Sequence, residues 1–201
     1  MVNKNRVFLA SSSVTRQRIL SQAGVKFEIA YPNVNETETK SSLIGENFGG
    51  ASIAEALAEK KARPISLKNP NTYVIGSDQI LEVESKILSK PLDMVAARDQ
   101  LLHLRGKNHQ LYSFVCVLCN GIRLWHVLDS ASMWMREFSE EFLRDYLEAL
   151  GDRALNFPGA YCIDDRGIQL FSKIDGDYFT VLGLPLLPLL NYLREQRVIK
   201  L

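Results

Sequence analysis

The first residues whose types could do chemistry stand in a serine-rich turn between a short apolar segment and an amphipathic one. Ser11, Ser12 and Ser13 are followed by Arg16. Free N–H groups at a helix start, together with the positive end of the helix dipole, form an anion site, and serine hydroxyls add donors. Arg16 would lie in the first turn, where a guanidinium can hold a phosphate through two hydrogen bonds. The alternative is a well-capped helix with a solvated arginine.

A second candidate is the segment Gly76-Ser77-Asp78-Gln79, which follows the apolar residues Tyr73 to Ile75. In open α/β sheets, binding sites gather at the carboxyl ends of strands. An aspartate at that place can serve as a general base or as a metal ligand. The alternative, which is more common for a single aspartate, is that Asp78 begins a turn.

Three further charged residues complete the set: Glu36 in a polar stretch, Lys61 in an amphipathic one, and Lys90 before Pro91. Ala58 and Ala62 flank Lys61 on the apolar side of its predicted helix, which favours an inward orientation. Taken alone, each of the three charged residues is more typical of a solvated surface than of a site.

Apolar periodicity predicts the elements that must position these residues. Helices are expected from Ser13 to Gly24, over 51–66, over 93–104, from Ser139 to Leu150 and over 183–195. Strands are expected over 6–10, 27–30, 73–75, 80–87, 109–118, 122–127 with an extension towards Met135, 158–163 and 168–174. Asn120-Gly121 is a favoured hairpin turn, and the polar residues 31–50 indicate a long loop. Strands that alternate with helices favour an α/β fold with a mixed sheet.

Composition excludes several classes of protein. The 24 Lys and Arg residues against 23 Asp and Glu residues give a net charge of +1, without the basic excess by which proteins grip nucleic acid. A chain of 201 residues can build one sizeable core, so a single domain over 1–201 is expected. Because no signal peptide, membrane-length segment or closed set of cysteines is found, we expect a cytoplasmic protein with no membrane partner.

Several tempting motifs fail on inspection. Cys116 and Cys119 have redox or zinc spacing, but within a strand they point to opposite faces. Neither a Walker loop nor a GxGxxG sequence occurs, and the three histidines lack metal-ligand spacing. Residues 136–141 resemble part of the Nudix hydrolase signature, yet Leu143 stands where that signature needs glycine.

Taken together, the motifs resemble the Maf family of nucleoside triphosphate pyrophosphatases nearly end to end. Each motif alone is weak, but nine in order over the whole length are specific. They are Leu9 to Arg16 (LASxSPxR in the family), Val34-Asn35-Glu36, Leu57 to Ala62 (LAxxKA), Gly76 to Gln79, Ser89-Lys90-Pro91 (GKP), Leu104 to His109 (LSGxxH), Pro158 to Tyr161 (AGAY), Lys173 to Tyr178 and Val181 to Pro185 (IxGxY and VxGLP).

The resemblance implies a central, mixed, strongly twisted β-sheet flanked by helices, with a nucleotide cleft between two lobes. It implies hydrolysis of a nucleoside triphosphate to the monophosphate and pyrophosphate with a divalent metal, Mg²⁺ or Mn²⁺, and a homodimer. By position, four residues would be catalytic, Asp78, Lys61, Lys90 and Glu36, and two of them, Glu36 and Asp78, would hold the metal. The substrate-binding residues would be Ser11, Ser13 and Arg16 for phosphate, and Thr15, Gln79 and Asp164 for the base.

The sequence departs from the family at the positions that select the base. Gln79, together with Asp164 in place of a glutamine, leans towards the branch that prefers 7-methyl-GTP over dTTP and UTP. A carboxylate accepts hydrogen bonds from the N1–H and N2–H₂ edge of guanine and suits a cationic methylated base. Thr15 fits neither branch, and Phe157 with Pro158 replaces the usual Lys-Ala.

Two other hypotheses remain open. The protein could be a nucleotide-binding regulator of cell division and septum formation that does not turn its ligand over, since the family is linked to septum inhibition. It could also be a degenerate member, against which the retention of Arg16, Glu36, Lys61, Asp78 and Lys90 argues. The leading hypothesis is an enzyme that removes non-canonical, modified or excess nucleotides.

Overall fold

The computed structural model describes residues 6–200. Within them the strands are β1 (Val7–Ala10), β2 (Glu28–Ile29), β3 (Tyr73–Val83), β4 (Lys86–Leu88), β5 (Asn108–Cys119), β6 (Ile122–Met135) and β7 (Phe171–Asp175). The helices are α1 (Val14–Gln22), α2 (Glu36–Gly45), α3 (Gly50–Lys68), α4 (Met94–Leu104), α5 (Glu140–Leu150), α6 (Tyr178–Val181) and α7 (Leu186–Glu195). Short 3₁₀ helices cover Gly151–Asn156, Pro158–Ala160 and Arg166–Leu170.

Within residues 6–200, the seven strands form one mixed sheet in the order β2-β1-β3-β5-β6-β7, and β4 pairs with β3. Strand β1 is parallel to both β2 and β3, whereas the β3–β4 and β6–β7 pairs are antiparallel. All four residues of β1 are buried, as expected for a parallel strand covered on both faces. The predicted α/β class with a mixed sheet is confirmed. Among the described helices, none combines the length and the apolar character that a membrane span requires.

The described chain divides into two compact units. The first unit contains residues 6–79, 112–129 and 177–200, and the second contains 80–111 and 130–176. Three of the four boundaries fall within β3, β5 and β6, so these three long strands contribute residues to both units, and the fourth falls between Gly176 and Asp177, after β7.

The helix starts that the sequence predicts at Ser13 and Ser139 are confirmed. The Ser13 hydroxyl accepts from the Arg16 N–H, and the Ser139 hydroxyl accepts from the Phe142 N–H. Each cap satisfies a donor that the helix itself leaves without a partner. The hairpin at Asn120-Gly121 is also confirmed, and β6 continues to Met135.

The long loop predicted over residues 31–50 is wrong, because helix α2 occupies Glu36–Gly45. Asn35 caps this helix through its side chain, and Glu36 and Glu38 lie in the first turn, where negative charge is favourable. None of the residues of α2 is buried. The helix therefore carries no apolar stripe, and a search for apolar periodicity could not find it.

The break predicted between residues 75 and 80 is also wrong. Strand β3 runs without interruption from Tyr73 to Val83, so that Asp78 lies inside a strand and does not begin a turn. The polar residues Ser77 and Asp78 suggested a loop, but both are buried and hydrogen-bonded within the first unit.

The strand predicted over 158–163 is absent from the described structure, where Pro158–Ala160 is a 3₁₀ turn. Gly159 has a φ of 79°, which is incompatible with an extended strand. Residues 168–170 are likewise 3₁₀, and β7 begins only at Phe171. The last helix begins at Leu186 instead of residue 183, after the short helix α6.

Candidate active site

The centre of the candidate site is a buried lysine that contacts two carboxylates in the first unit. The Lys61 Nζ lies 2.6 Å from Asp78 Oδ1 and 2.9 Å from Glu36 Oε2. The side chains of Lys61 and Asp78 are only 6% and 9% exposed, whereas that of Glu36 is 47% exposed. The inward orientation of Lys61 is therefore confirmed. Charged side chains this deeply buried are rare outside paired arrangements and are enriched at functional sites.

Gly76 sets the distance between α3 and β3 at this point. A Cβ atom on Gly76 would lie 2.5 Å from the Ala58 carbonyl oxygen and 2.7 Å from the Ala62 Cβ. Ala58 and Ala62 precede and follow Lys61 on α3, and Asp78 follows Gly76 by two residues, on the same face of β3. The missing side chain thus allows the helix to approach closely enough for Lys61 to reach Asp78 directly.

Glu36 reaches the cluster from the first residue of α2. The cap at Asn35 fixes the start of this helix and therefore the place from which the Glu36 side chain extends. The sequence placed Glu36 in a loop, whereas the structure gives it a helical backbone.

Arg16 is buried in the first unit and is held by backbone carbonyls. Its Nε donates to the Gly183 carbonyl at 2.7 Å, and its Nη1 donates to the Ser77 carbonyl at 3.1 Å. Burial lowers the pKa of Arg16, and the nearby charges of Asp78 and Glu36 raise it in compensation. The guanidinium thus adds positive charge beside the carboxylates and fastens the chain next to Asp78.

The serine turn is organised by its own hydroxyl groups. Ser11 is buried, and its Oγ accepts from the Ser13 N–H at 3.2 Å. The Arg16 Nη1 lies at 3.5 Å from the same oxygen. Parallel pairing of β1 with β3 ends at Ala10 opposite Gly76, so the turn and Asp78 both follow that pairing. Thr15, the second residue of α1, is partly exposed.

Gln79 is anchored through its side-chain amide. Its Nε2 donates to the Thr180 carbonyl at 3.0 Å, the Val181 carbonyl at 3.1 Å and the Ser113 hydroxyl at 3.0 Å. The amide nitrogen therefore ties β3 to helix α6, and any contact of Gln79 with a base stays a prediction.

The two remaining predicted residues, Lys90 and Asp164, lie in the second unit. Lys90 is exposed and follows β4. Asp164 is exposed in the turn before the third 3₁₀ helix, and its Oδ1 accepts from the Cys162 thiol at 2.9 Å. Burial and the bond to Asp164 raise the pKa of the Cys162 thiol to about 11, so the thiol remains protonated and can donate.

The Maf-like protein family model matches residues 6–196 of the chain. The chain belongs to the Maf-like protein family. It is 48% identical over 193 residues to the nucleoside triphosphate pyrophosphatase of Rhodospirillum rubrum, with 96% of each chain covered. It is 44% identical to the 7-methyl-GTP pyrophosphatase of Brucella abortus, over 96% of this chain and 98% of that protein. It is 45% identical to the nucleoside triphosphate pyrophosphatase of Caulobacter vibrioides, over 94% of each.

Two contributors to this Maf-like site were not identified from the sequence as site residues. The Ser77 hydroxyl donates to the Gly183 carbonyl at 3.0 Å, the same carbonyl that accepts from Arg16. Gly183 has a φ of 91°, a conformation that favours glycine. Both residues stand within motifs of the family resemblance, and that position is the one signal that could have pointed to them.

The donor set suits a hard divalent cation. Two carboxylates contact the same lysine nitrogen, Lys61 Nζ, and Mg²⁺ is typically bound through one or two carboxylates plus substrate phosphates. Within the described residues, no group of three or more His, Cys, Asp or Glu side chains forms a complete metal cage. Asp78 and Glu36 therefore fit a cation whose remaining ligands are water and phosphate oxygens.

Proposed function

We propose that the protein hydrolyses a nucleoside triphosphate to the nucleoside monophosphate and pyrophosphate. The observation that carries this proposal is the buried contact of Lys61 with Asp78 and Glu36, beside Arg16. The relatives from Rhodospirillum rubrum and Caulobacter vibrioides are named nucleoside triphosphate pyrophosphatases, and their similarity covers nearly the whole chain. Both facts support the proposal.

The chemistry asks for positioning and for charge. Water must attack the α-phosphorus in line with the leaving pyrophosphate, and negative charge builds on the phosphate oxygens. The Lys61 ammonium can stabilise that charge from a site with little water, where electrostatic interactions are strong. Lys90 is proposed to neutralise charge on the triphosphate, and Ser11, Ser13 and the N–H groups of the α1 start to bind phosphate.

Asp78 is proposed to orient the attacking water and to accept its proton. A divalent cation, Mg²⁺ or Mn²⁺, held by Asp78 and Glu36 would act as a Lewis acid on the phosphate oxygens. Asp78 is held in place by the β3 backbone and, before the nucleotide binds, by Lys61. Glu36 extends from the first residue of α2, and its side chain is half-exposed.

The proposed base preference is 7-methyl-GTP over dTTP and UTP. It is supported by the residue types at Gln79 and Asp164 and by the name of the Brucella abortus relative, a 7-methyl-GTP pyrophosphatase. Asp164 is proposed to accept hydrogen bonds from the guanine edge and to balance the charge of the methylated base. Removal of such modified nucleotides would keep them out of newly made nucleic acid.

The test is pyrophosphate release from a panel of triphosphates that includes 7-methyl-GTP, dTTP and UTP, with Mg²⁺ or Mn²⁺. Asp78→Asn should abolish turnover, because the amide cannot accept the proton. Asp99→Asn, at an exposed position on α4, removes the same charge and should leave activity unchanged. No release from any nucleotide, or full activity in Asp78→Asn, would overturn the proposal.

A regulator of cell division that binds nucleotide without turnover is the alternative outcome of the same experiment. It would give saturable nucleotide binding with no pyrophosphate, and a septation phenotype on over-expression that persists in Asp78→Asn. A homodimer in solution also remains a proposal, which light scattering of the purified chain would test.

A further inference from the structure

The Lys61 Nζ contacts both of the carboxylates that are proposed to hold a cation. The Lys61 Nζ is within hydrogen-bond distance of Asp78 and of Glu36 at once. Lys61 is 5% exposed overall, so water cannot fully hydrate its ammonium group in this position. It relies on the two carboxylates for its own stabilisation, as a buried charge must.

The charges in this cluster already balance. Lys61 and Arg16 supply two positive charges, and Asp78 and Glu36 supply two negative ones, whose influence also reaches Arg16. A divalent cation that entered alone would compete with the Lys61 ammonium for the same oxygens and leave an excess of positive charge. A triphosphate changes this balance, because its oxygens offer the ammonium a new set of acceptors and bring several negative charges.

We infer that Lys61 is an internal counterion that keeps the carboxylate pair closed to a divalent cation until a triphosphate arrives. The inference rests on the proposed function, and it deepens that function by giving the order of binding. The cation enters with the nucleotide, and the Lys61 ammonium shifts from the carboxylates towards the phosphates. Lys61 thus has two roles in succession, first as a placeholder and then as a phosphate ligand.

The experiment measures Mn²⁺ binding to the full chain by the loss of the free-ion electron paramagnetic resonance signal. Without nucleotide, the unmodified protein should bind Mn²⁺ weakly, and Lys61→Met should bind it at least about tenfold more tightly because a competing charge is gone. Lys60→Met is the matched control. Lys60 is the adjacent residue on α3, is exposed and donates to the Thr39 hydroxyl, so its variant should bind Mn²⁺ like the unmodified chain.

A second measurement adds a nucleotide to the same Mn²⁺ titration. After subtraction of the Mn²⁺ that the analogue binds in a matched protein-free titration, a non-hydrolysable triphosphate analogue should tighten Mn²⁺ binding to the unmodified chain by at least about tenfold. Lys61→Met should show a smaller gain. By thermodynamic linkage, Mn²⁺ must tighten analogue binding by the same factor. Binding of Mn²⁺ to the unmodified chain that is equally tight with and without the analogue would overturn the inference, as would no difference between Lys61→Met and Lys60→Met.

These results separate the inference from the proposal beneath it. If pyrophosphate is released but Mn²⁺ binding is independent of Lys61, the binding order is wrong and the activity stands. If no triphosphate of the panel is hydrolysed, the proposed function is wrong whatever the Mn²⁺ titration shows.

Discussion

The close approach of α3 to β3 makes a strong prediction for Gly76→Ala. The added methyl group would lie 2.5 Å from the Ala58 carbonyl oxygen and 2.7 Å from the Ala62 Cβ, with Cys116 Sγ at 3.2 Å. The φ of Gly76 is not in the left-handed region, so alanine meets no backbone strain there. The whole effect of the substitution must therefore come from crowding between the helix and the strand.

The size of the effect follows from these contacts. Opening the Ala58 contact from 2.5 Å to at least 3.0 Å requires a shift of about 0.5 Å, because a carbonyl in a helix cannot rotate away as a side chain can. Overpacking of this kind costs about 1–3 kcal/mol of stability. The same shift carries Lys61 away from Asp78, and misplacement by about 1 Å can cost about 10²-fold in rate. We expect kcat/KM to fall by about 10- to 100-fold.

The assay pairs urea denaturation with pyrophosphate release. Gly45→Ala is the matched control, because a Cβ there has nothing within 4 Å and no positive φ. That variant should match or slightly exceed the unmodified stability. If Gly76→Ala retains both the stability and the kcat/KM of the unmodified protein, α3 and β3 are not held at their present distance by this glycine.

Three other predictions concern single side chains. Burial lowers the pKa of His109 to about 4, below its unfolded value of about 6.5. Between these pH values the unfolded chain therefore binds more protons than the folded chain. The unfolding free energy should fall as pH drops from about 6.5 to 4, by up to about 3 kcal/mol. His109→Gln should flatten that pH profile, and an unchanged profile would contradict the assignment. Ser13→Ala should cost about 1 kcal/mol in urea denaturation because the α1 cap is lost, whereas no loss would show the cap to be replaceable. Cys162→Ala should weaken the preference for 7-methyl-GTP over dTTP several-fold because Asp164 loses the hydrogen bond from this thiol, and Cys162→Ser should restore the preference. Equal ratios in all three proteins would refute this role.

Local rules recovered those parts of the fold that are encoded locally. Ser13, Ser139 and Asn120-Gly121 each act through neighbours a few residues away, and all three predictions are confirmed. Helix α2 was predicted as a loop and the 3₁₀ turn at Pro158–Ala160 as part of a strand, because neither has an apolar periodicity that identifies it. One lacks a buried face, and the other is an apolar segment turned by a glycine.

The candidate site also divides into features that the local sequence encodes and features that depend on distant contacts. Lys61 could be oriented from its alanine neighbours, and Asp78 and Arg16 could be selected from their motifs. The partners of Arg16 could not, because the Gly183 carbonyl that it contacts is 167 residues away. The continuity of β3 through Asp78 was also hidden, since the sequence shows polar residues but not the partners that satisfy them.

The burial of this cluster is itself an argument for function. Taking charges out of water is costly, and well-packed apolar side chains of similar volume are often as stable as a buried ion pair or more so. A chain selected for stability alone would have no reason to bury Lys61 of α3 against Asp78 of β3, or to keep a glycine at position 76 where the helix and the strand approach each other. An ammonium that can pass from two carboxylates to a phosphate gives such a reason, because that exchange requires charges that are held in advance and are not already satisfied by water. The overall net charge of +1 conceals this arrangement, since a balanced cluster adds nothing to the sum.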